Sequence, residues 1–371
     1  METIKHLKEI LENKDMLLKI IKEELIEIRD KYGDQRRTEI QISNDDINIE
    51  DLIEEQEVII TLTHTGYVKR ISADTYSSQR RGGKGIQAMA TKEDDFVEHI
   101  FITSTHNHIL FFTNKGKVYK LKGYEIPEAG RTAKGTNLVN LIPLQGDEQI
   151  QAVISFKEVD KEKYFIMATK EGLIKKTKIS QYASIRKNGL NAINLKDSDE
   201  LIGVKMTTGK SEILIFTKNG YAIRFSEDDV RSTGRNTMGV RAITLRTGDI
   251  AVAMDIVDKA QDVLVISENG FGKRTPVSEY TIHRRGGKGI ITYKVTEKTG
   301  LIVGARVVKD EDEMMLINSS NVAIRLNVSE ISVTNRNTMG VTLMRTDEEQ
   351  RVVAIAKINC SDDIDDKEVE E

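Results

Sequence analysis

The sequence is poor in cysteine, tryptophan and proline, and it lacks a long apolar run. Its one cysteine, Cys360, has no partner for an internal disulfide, which favours a reducing, cytoplasmic environment. No stretch of about 18 apolar residues occurs, and no signal-peptide segment lies near the N-terminus, so we expect no membrane span or membrane partner. The histidines His64, His99, His106, His108 and His283 share no ligand spacing with the cysteine, so no metal site is predicted.

The net charge of −4 hides an uneven distribution of charge along the chain. Residues 361–371 carry a net charge of −6, residues 32–54 carry −5 and residues 1–31 carry −1, which leaves +8 for residues 55–360. A basic body between acidic flanks is compatible with a polyanionic partner, which the charge of the whole chain alone would argue against.

The first 32 residues have the pattern of one amphipathic helix. Apolar residues recur at intervals of four and three between Leu7 and Tyr32, with Lys14 interrupting one position, while Glu and Lys fill most other positions. The apolar stripe either packs on a neighbouring element or forms one arm of a coiled coil. No clear capping residue precedes it, so we expect the end of a longer helix. Residues 33–54 follow as an acidic linker.

From residue 55 the sequence changes to β-branched and apolar runs that alternate with polar residues. A pattern of apolar strand, tight turn and basic strand occurs six times, at residues 62–71, 112–121, 168–177, 216–225, 266–275 and 317–326. The turn ends in glycine in five copies and in Asn321 in the sixth. Both residues suit the left-handed backbone at the end of a short hairpin loop.

A second pattern follows each hairpin and ends in a glycine, at Gly85, Gly135, Gly189, Gly239, Gly289 and Gly340. A third apolar strand then closes each repeat. Six repeats of about fifty residues, each with about four strands, are typical of a propeller. The terminal repeats are no more polar than the others, so a closed ring of six blades is predicted over residues 55–360. The absence of tryptophan argues against the WD40 type.

The second pattern of the first repeat is the candidate functional motif. It consists of Gln79, Arg80, Arg81, Gly82, Gly83, Lys84 and Gly85. The glycines allow backbone N–H groups to approach a phosphate closely. The arginines offer forked contacts to phosphate oxygens, and the lysine adds a point charge. Such a loop suits the backbone of a nucleic acid better than base edges. A solvated turn is the competing interpretation.

The motif QRRGGKG resembles the signature box of the bacterial DNA gyrase A family. Residues 20–40, IIKEELIEIRDKYGDQRRTEI, are similar to the end of that family's coiled-coil helix in the cleavage domain. The resemblance covers essentially the whole chain. It implies an all-β fold, the six-bladed β-pinwheel, whose blades exchange strands, preceded by the N-terminal helix at residues 1–32. The periodicity alone does not distinguish a pinwheel from a plain propeller.

This resemblance also implies a function. The domain would bind, bend and chirally wrap duplex DNA around a basic rim, without sequence specificity, and so enable negative supercoiling by DNA gyrase, with the box at residues 79–85 contacting DNA. The implied partners are double-stranded DNA, the gyrase A cleavage domain and gyrase B, in a heterotetramer of the bacterial cytoplasm. No catalytic residue is expected, because the family's DNA-cleaving tyrosine lies upstream of this segment. ATP and Mg²⁺ would act elsewhere in the complex, and no small-molecule substrate is expected here.

Further cations recur at matching positions of the hairpins and of the box-like loops, and we expect them around the rim. Solvated strand faces are the alternative. The candidates are Lys69, Arg70, Lys117, Lys120, Lys134, Lys175, Lys176, Arg224, Lys273, Arg274, Arg284, Arg285, Lys288 and Arg325.

Two segments keep alternative interpretations. The fifth repeat carries HRRGGKG at residues 283–289, which differs from the first box only by His283 and either contacts DNA similarly or stabilises its blade. The acidic tail at residues 361–371 is expected to be disordered, and it is either a solvated end or a polyanion that competes with DNA.

Two other functions also remain open. Topoisomerase IV carries a related bladed domain in its corresponding polypeptide, although the intact box favours gyrase. A protein-interaction propeller, whose cations only aid solubility, is the second. A propeller enzyme has no support, because no convergent set of carboxylates or histidines occurs.

Overall fold

The structure is a computed structural model that describes residues 1–34, 49–72, 95, 97–130, 133–157, 160, 162–257, 261–320, 322–346 and 350–358. The chain divides into two compact units, residues 1–52 and residues 53–371. In the described part of the chain, neither helix combines the length and the apolar character that crossing a membrane requires.

The first unit contains two helices where the sequence pattern predicted one. They are α1 (Glu2–Glu12) and α2 (Lys14–Tyr32), followed by a 3-10 turn at Ile49–Leu52. Asn13 interrupts them with an extended backbone, and its side-chain oxygen accepts hydrogen bonds from the amides of Asp15 (3.1 Å) and Met16 (3.3 Å). Asparagine competes with the helical backbone in this way, and a cap of this kind is worth about 1 kcal/mol. The predicted helical segment at residues 1–32 is therefore present, but Asn13 divides it into two helices.

The described part of the second unit contains six β-sheets, as the repeat pattern predicts. Three strands of each sheet come from one repeat. They are β1 (Glu57–Thr63), β2 (Tyr67–Ser72) and β3 (Val97–Ser104) in blade 1; β4 (His108–Thr113), β5 (Lys117–Lys122) and β7 (Ile150–Phe156) in blade 2; β8 (Tyr164–Thr169), β9 (Leu173–Lys178) and β11 (Leu201–Thr207) in blade 3; β12 (Glu212–Thr217), β13 (Tyr221–Ser226) and β15 (Ala251–Val257) in blade 4; β16 (Asp262–Ser267), β17 (Phe271–Pro276) and β19 (Ile302–Val308) in blade 5; and β20 (Glu313–Asn318), β21 (Ala323–Asn327) and β23 (Val352–Ile358) in blade 6.

Short 3-10 turns follow the second strand of five blades, and one more follows the first exchanged strand. They span Gly123–Glu125, Leu138–Asn140, Ile179–Tyr182, Glu227–Asp229, Val277–Glu279 and Val328–Glu330.

Each of the first five blades takes its fourth strand from the following repeat. These exchanged strands are β6 (Thr136–Asn137) on blade 1, β10 (Leu190–Asn191) on blade 2, β14 (Val240–Arg241) on blade 3, β18 (Ile290–Ile291) on blade 4 and β22 (Val341–Thr342) on blade 5. Each pairs antiparallel with the second strand of its host blade. On blade 4, for example, Ile290 pairs with Ala222 and Ile291 with Tyr221. The exchange confirms the pinwheel that the family resemblance implied.

The third strands lie nearest the axis of the ring. The third strand of each blade contacts that of the next, and β23 of the last blade contacts β3 of the first, so the ring is closed. In blades 1 to 5 the strands run from the axis outwards as third, first, second and exchanged strand. The exchanged strands, and the loops that lead into them, therefore lie at the outer edge of the ring.

The core lies between neighbouring blades. One apolar cluster joins Leu110 and Phe112 of blade 2 to Phe165 and Met167 of blade 3, and similar clusters fill the next interfaces. The first strand of each blade is covered on both faces, so Ile213, Leu214, Ile215 and Phe216 are all buried. Continuous apolar runs replace the alternation expected from the sequence because a blade has a neighbour on each side.

The glycines of both repeated patterns have a conformational reason. The hairpin glycines Gly66, Gly116, Gly172, Gly220 and Gly270 all have φ between 76° and 90°, as predicted. Gly289, which ends a box-like loop, has φ of +70°, and a Cβ there would lie 2.6 Å from the carbonyl oxygen of Ala222 on the host blade. Glycine is needed there for its backbone angle and also for close approach to the next strand.

We expect Gly289→Ala to destabilise the domain more than Gly248→Ala does. Both glycines have a positive φ, but a Cβ at Gly248 would meet nothing within 4 Å. Gly248→Ala should cost about 1 kcal/mol through backbone strain alone, and Gly289→Ala about 1–3 kcal/mol more through overpacking. Urea unfolding of the two variants measures the difference. Equal costs would show that the strand exchange does not need this close approach.

Candidate nucleic-acid interface

The outer edge of the ring carries five described loops that lead into the exchanged strands. We call them rim loops and number them by repeat: rim loop 2 (residues 129–135), rim loop 3 (183–189), rim loop 4 (233–239), rim loop 5 (283–289) and rim loop 6 (334–340). Residues 131 and 132 of rim loop 2 lie outside the described residues. The predicted box at residues 79–85 and the acidic tail at residues 361–371 also lie outside them, so their roles stay predictions.

Rim loop 5, the near-copy of the box, is held to the ring by its second arginine. Arg285 Nε donates to the carbonyl oxygen of Asp229 (2.8 Å), and its Nη1 donates to that of Arg241 (3.0 Å). Arg284 and Lys288 are exposed on the same loop. The two neighbouring arginines therefore differ in role. Arg285 fixes the loop to the ring, whereas Arg284 faces solvent.

Main-chain contacts hold the two glycines of rim loop 5. The amide of Gly286 donates to the carbonyl oxygen of Ala242 (2.6 Å), and the carbonyl oxygens of Gly286 and Gly287 accept from the hydroxyl and the amide of Thr244 (2.6 and 2.8 Å). Arg246 Nη1 donates to the carbonyl oxygen of Lys288 (2.8 Å). The loop is thus fixed before any ligand binds.

Six of the predicted DNA contacts are buried inside the ring. Their exposed fractions are 8% or less, too little for a contact with a phosphate. They are Lys69, Lys175, Lys176, Arg224, Lys273 and Arg274. The physical reason is that backbone carbonyls of neighbouring blades and rim loops satisfy their ammonium and guanidinium groups, with carboxylates of the same or the next blade.

The last cation of the hairpin binds the following blade. Arg224 Nη1 donates to the carbonyl oxygens of Val277 and Tyr280 of blade 5, both at 2.9 Å, while its guanidinium also pairs with Glu212. The same position makes the same type of contact in three other blades, from Arg70 to Ile126 (2.7 Å), from Lys176 to Glu227 (3.2 Å) and from Arg274 to Ile331 (2.8 Å). These side chains tie each blade to the next.

The preceding hairpin position carries a buried lysine in three blades. Lys69, Lys175 and Lys273 each donate to backbone carbonyls of a rim loop. Burial lowers the pKa of all three ammonium groups, and it lowers the pKa of Lys175 and of Lys273 to about 8.

The other predicted contacts are more accessible, but most are paired. Lys117 forms a 3.1 Å ion pair with Glu148, and Arg325 pairs with Glu313. Lys120 Nζ donates to the carbonyl oxygen of Ala183 (3.4 Å), and Lys134 lies 3.7 Å from the centre of the Tyr67 ring.

Two grooves at the rim contain cations that the sequence analysis missed. The first, the Arg235 groove, has a volume of about 690 Å³ and is lined by Lys120, Arg186 and Arg235, and an adjoining pocket of about 350 Å³ shares Arg235. The second, the Arg336 groove, has a volume of about 740 Å³ and is lined by Arg246 and Arg336 together with Glu279.

A sequence signal for Arg235 and Arg336 did exist. An arginine stands four residues before the closing glycine at Arg131, Arg235, Arg285 and Arg336, and in the box at Arg81. The flanking residues of rim loops 2, 4 and 6 differ from those of the first box, so overall similarity to the box conceals this single recurring position.

The described residues hold no arrangement that suggests chemistry beyond binding. Among them, no cluster of His, Cys, Asp and Glu could hold a metal ion. Tyr182 and Tyr280 are buried and hydrogen-bonded, and burial raises the pKa of both, that of Tyr280 to about 12. A phenol in that state is a poor nucleophile.

The fold and the rim together define a class, the strand-exchanging six-bladed propeller with cations on its outer loops. Comparison with known proteins identifies the family. The family model for the DNA gyrase C-terminal domain, a beta-propeller, matches residues 57–104, 107–157, 163–208, 211–258, 261–309 and 312–359. The chain therefore belongs to the DNA gyrase C-terminal domain family.

Curated relatives agree with this assignment. The chain is 65% identical over 362 residues to the DNA gyrase A protein of Clostridium acetobutylicum, covering 98% of this chain and 44% of the relative. It is 51% identical over 372 residues to the DNA gyrase A protein of Halalkalibacterium halodurans, covering 100% of this chain and 45% of the relative. The chain thus spans less than half the length of these relatives.

Solved structures share the fold. The C-terminal domain of DNA topoisomerase IV matches with a TM-score of 0.72 at 28% identity, covering 82% of this chain and 94% of that one. The DNA gyrase A C-terminal domain matches with a TM-score of 0.67, also at 28% identity, covering 82% of this chain and 100% of that one.

We expect Arg224→Met to lower the free energy of unfolding by about 3–5 kcal/mol, because Glu212 and two carbonyl oxygens would lose their buried partner. Arg284→Met, at an exposed arginine of rim loop 5, should change it by no more than about 0.5 kcal/mol. Urea unfolding, followed by circular dichroism, measures both. If the two variants were equally stable, the inter-blade role of Arg224 would be wrong.

Proposed function

We propose that this domain binds duplex DNA without reading its sequence, bends it around the rim and holds it in a wrap of fixed hand, as part of a DNA gyrase. The observation that carries the proposal is the position of the exposed cations. Arg284 and Lys288 stand on a fixed loop at the outer edge of a closed ring, and arginines line two grooves at the same edge.

The mechanism follows from electrostatics and curvature. Cations at the rim neutralise phosphates and release counterions, which drives binding without base contacts. Bending a duplex around so small a ring costs on the order of several kcal/mol, and many separate phosphate contacts offset that cost. Because main-chain hydrogen bonds already fix a loop such as rim loop 5, little conformational entropy is lost when its cations meet DNA.

The domain would act within a larger complex. Its relatives are gyrase A polypeptides more than twice as long, so DNA cleavage would belong to the rest of that polypeptide and ATP hydrolysis to gyrase B. Bound DNA would pass from the rim to the cleavage domain with a defined crossing, and strand passage would then introduce negative supercoils. In this proposal the domain itself breaks no bond.

A DNA-binding domain of topoisomerase IV is the second candidate, supported by the TM-score of 0.72. The complete QRRGGKG motif at residues 79–85 favours gyrase. A protein-interaction propeller is a third candidate, but no feature of the described rim supports it.

We expect the domain to change the topology of DNA circles. When nicked circles are closed by ligase in its presence, the linking number should shift with one sign, because the wrap has one hand. Binding to a duplex of arbitrary sequence should weaken steeply with salt. Binding with no change in linking number would favour a topoisomerase IV-like role, and the absence of salt-dependent binding would leave the protein-interaction propeller.

We expect the triple variant Arg80→Ala, Arg81→Ala and Lys84→Ala to abolish the linking-number shift while weakening simple duplex binding only severalfold, because many other rim contacts remain. The matched control is Arg284→Ala with Lys288→Ala, which removes exposed charge from the near-copy in rim loop 5. An unchanged shift in the triple variant would overturn the box assignment. An equal loss in the control would show that the two loops share one role.

A further inference from the structure

One position of the repeated basic strand, buried in blades 1 to 5 and partly buried in blade 6, alternates around the ring. It is the residue directly before the last cation of each hairpin. In blades 1 to 6 it is occupied by Lys69, Tyr119, Lys175, Ile223, Lys273 and Ile324. Lysine thus occurs in blades 1, 3 and 5, and an aromatic or aliphatic residue in blades 2, 4 and 6. The three lysines are at most 1% exposed.

Each lysine holds the rim loop of the following repeat. Lys175 Nζ donates to the carbonyl oxygens of Ala192 (2.7 Å) and Arg235. Lys273 Nζ donates to the carbonyl oxygens of Asn335 (2.6 Å) and Arg336 and to Thr338 Oγ1 (3.1 Å).

The same contact recurs in blade 1. There Lys69 Nζ donates to the carbonyl oxygens of Gly130 (3.2 Å) and Ala133 (3.0 Å). Rim loops 2, 4 and 6 are therefore held from inside by an ammonium group.

Rim loops 3 and 5 rest on a different support. A Cβ at Gly189 of rim loop 3 would lie 2.6 Å from the ring of Tyr119, and a Cβ at Gly287 of rim loop 5 would lie 3.5 Å from Cδ1 of Ile223. Glycine lies against a bulky side chain in both. The described rim loops thus fall into two classes that alternate from blade to blade.

The grooves follow the same two-blade interval. The Arg235 groove lies between rim loop 3, with Leu190 of the exchanged strand that follows it, and Arg235 of rim loop 4. The Arg336 groove lies between Gly289 of rim loop 5, with the exchanged strand that follows it, and residues 335–337 of rim loop 6. Each groove therefore joins an arginine of a rim loop held by lysine to the preceding rim loop or its exchanged strand, which no lysine of this kind holds. In both, the lysine binds the main-chain carbonyl of the arginine that lines the groove.

We propose that the rim binds the phosphate backbone at every second blade, with the Arg235 groove and the Arg336 groove as two of these sites, and that Lys175 and Lys273 are positioning residues for the groove arginines. This proposal rests on the DNA binding proposed above and adds where the phosphates sit. The lysines do not touch DNA. They fix the backbone from which each guanidinium projects.

The environment of the lysines fits this role. Arg235 and the Tyr182 hydroxyl lie around Lys175, and Glu279, Arg336 and the ring of Tyr293 lie around Lys273. Holding a desolvated ammonium costs free energy, and a buried charge is tolerated only where several acceptors converge on it. Methionine in the basic strand would fill the same space without that cost. A cation that is kept there three times, always against a rim loop, indicates that the loop needs it.

A double-mutant cycle tests the coupling between lysine and arginine. The variants are Lys175→Met, Arg235→Gln and their combination, with Lys273→Met, Arg336→Gln and their combination as the second set. We expect each single variant to weaken binding to a 40-base-pair duplex about fivefold and to reduce the salt slope by about 1. Each double variant within one groove should bind the duplex no more weakly than its single variants do. The losses of affinity from Lys175→Met and Arg336→Gln should instead add, because the two residues lie in different grooves.

The control is Lys210→Gln, an exposed lysine between β11 and β12 outside both grooves, which should bind within twofold of the wild type. If a methionine variant fails to fold, the cycle in the Arg336 groove is repeated with Thr338→Val in place of Lys273→Met, since this change removes only one acceptor from Lys273. It should couple with Arg336→Gln in the same way. Additive effects within a groove would overturn the positioning role, and wild-type affinity in both arginine variants would overturn the groove sites. A wild-type domain that binds no duplex would instead overturn the proposed function.

Discussion

The exchange of a two-residue strand between neighbouring repeats is the constraint on which the rest of the structure depends. A blade of three strands would leave the outer edge of its second strand unpaired, and such an edge is a ready template for aggregation. The next repeat covers that edge with residues such as Ile290 and Ile291. To arrive there, the chain must run along the outside of the ring and turn at a glycine with a positive φ, such as Gly289. The rim loops therefore exist because the edge must be covered, and they offer the cations of repeat 5, Arg284 and Lys288, a place at the surface.

The cations of this chain serve two opposite purposes, and the division follows from geometry. Side chains of the basic strand point between blades, where Arg224 and Lys273 meet carbonyl oxygens that would otherwise be buried without a partner. Such contacts tie the blades together at the expense of desolvating a charge. Rim-loop side chains such as Arg284 and Lys288 are exposed and keep their hydration. A positive charge in the sequence is therefore no guide to the surface in a fold in which both faces of a sheet are covered.

Much of the fold could be predicted from the sequence because the repeats constrain it six times over. The hairpins, their left-handed glycines and the third strand of each repeat occur where the pattern places them. The break at Asn13 was missed because the apolar spacing continues through it, and a side chain that caps a helix can stand at any exposed position. The candidate site was predicted less well. Lys69 and Lys175 looked like surface cations because they stand among polar residues, although both strand faces are buried.

The sequence by itself determined the number of repeats, the strand and turn residues, the family and the excess of positive charge over residues 55–360. Each of these depends on local backbone preference or on composition, which neighbours in sequence suffice to specify. The tertiary structure alone decided that Lys175 lies inside and Arg235 at the rim, that two grooves recur at alternate blades, and that the last blade contacts the first. These facts depend on which blade lies beside which, and residues about fifty positions apart become neighbours only when the ring closes.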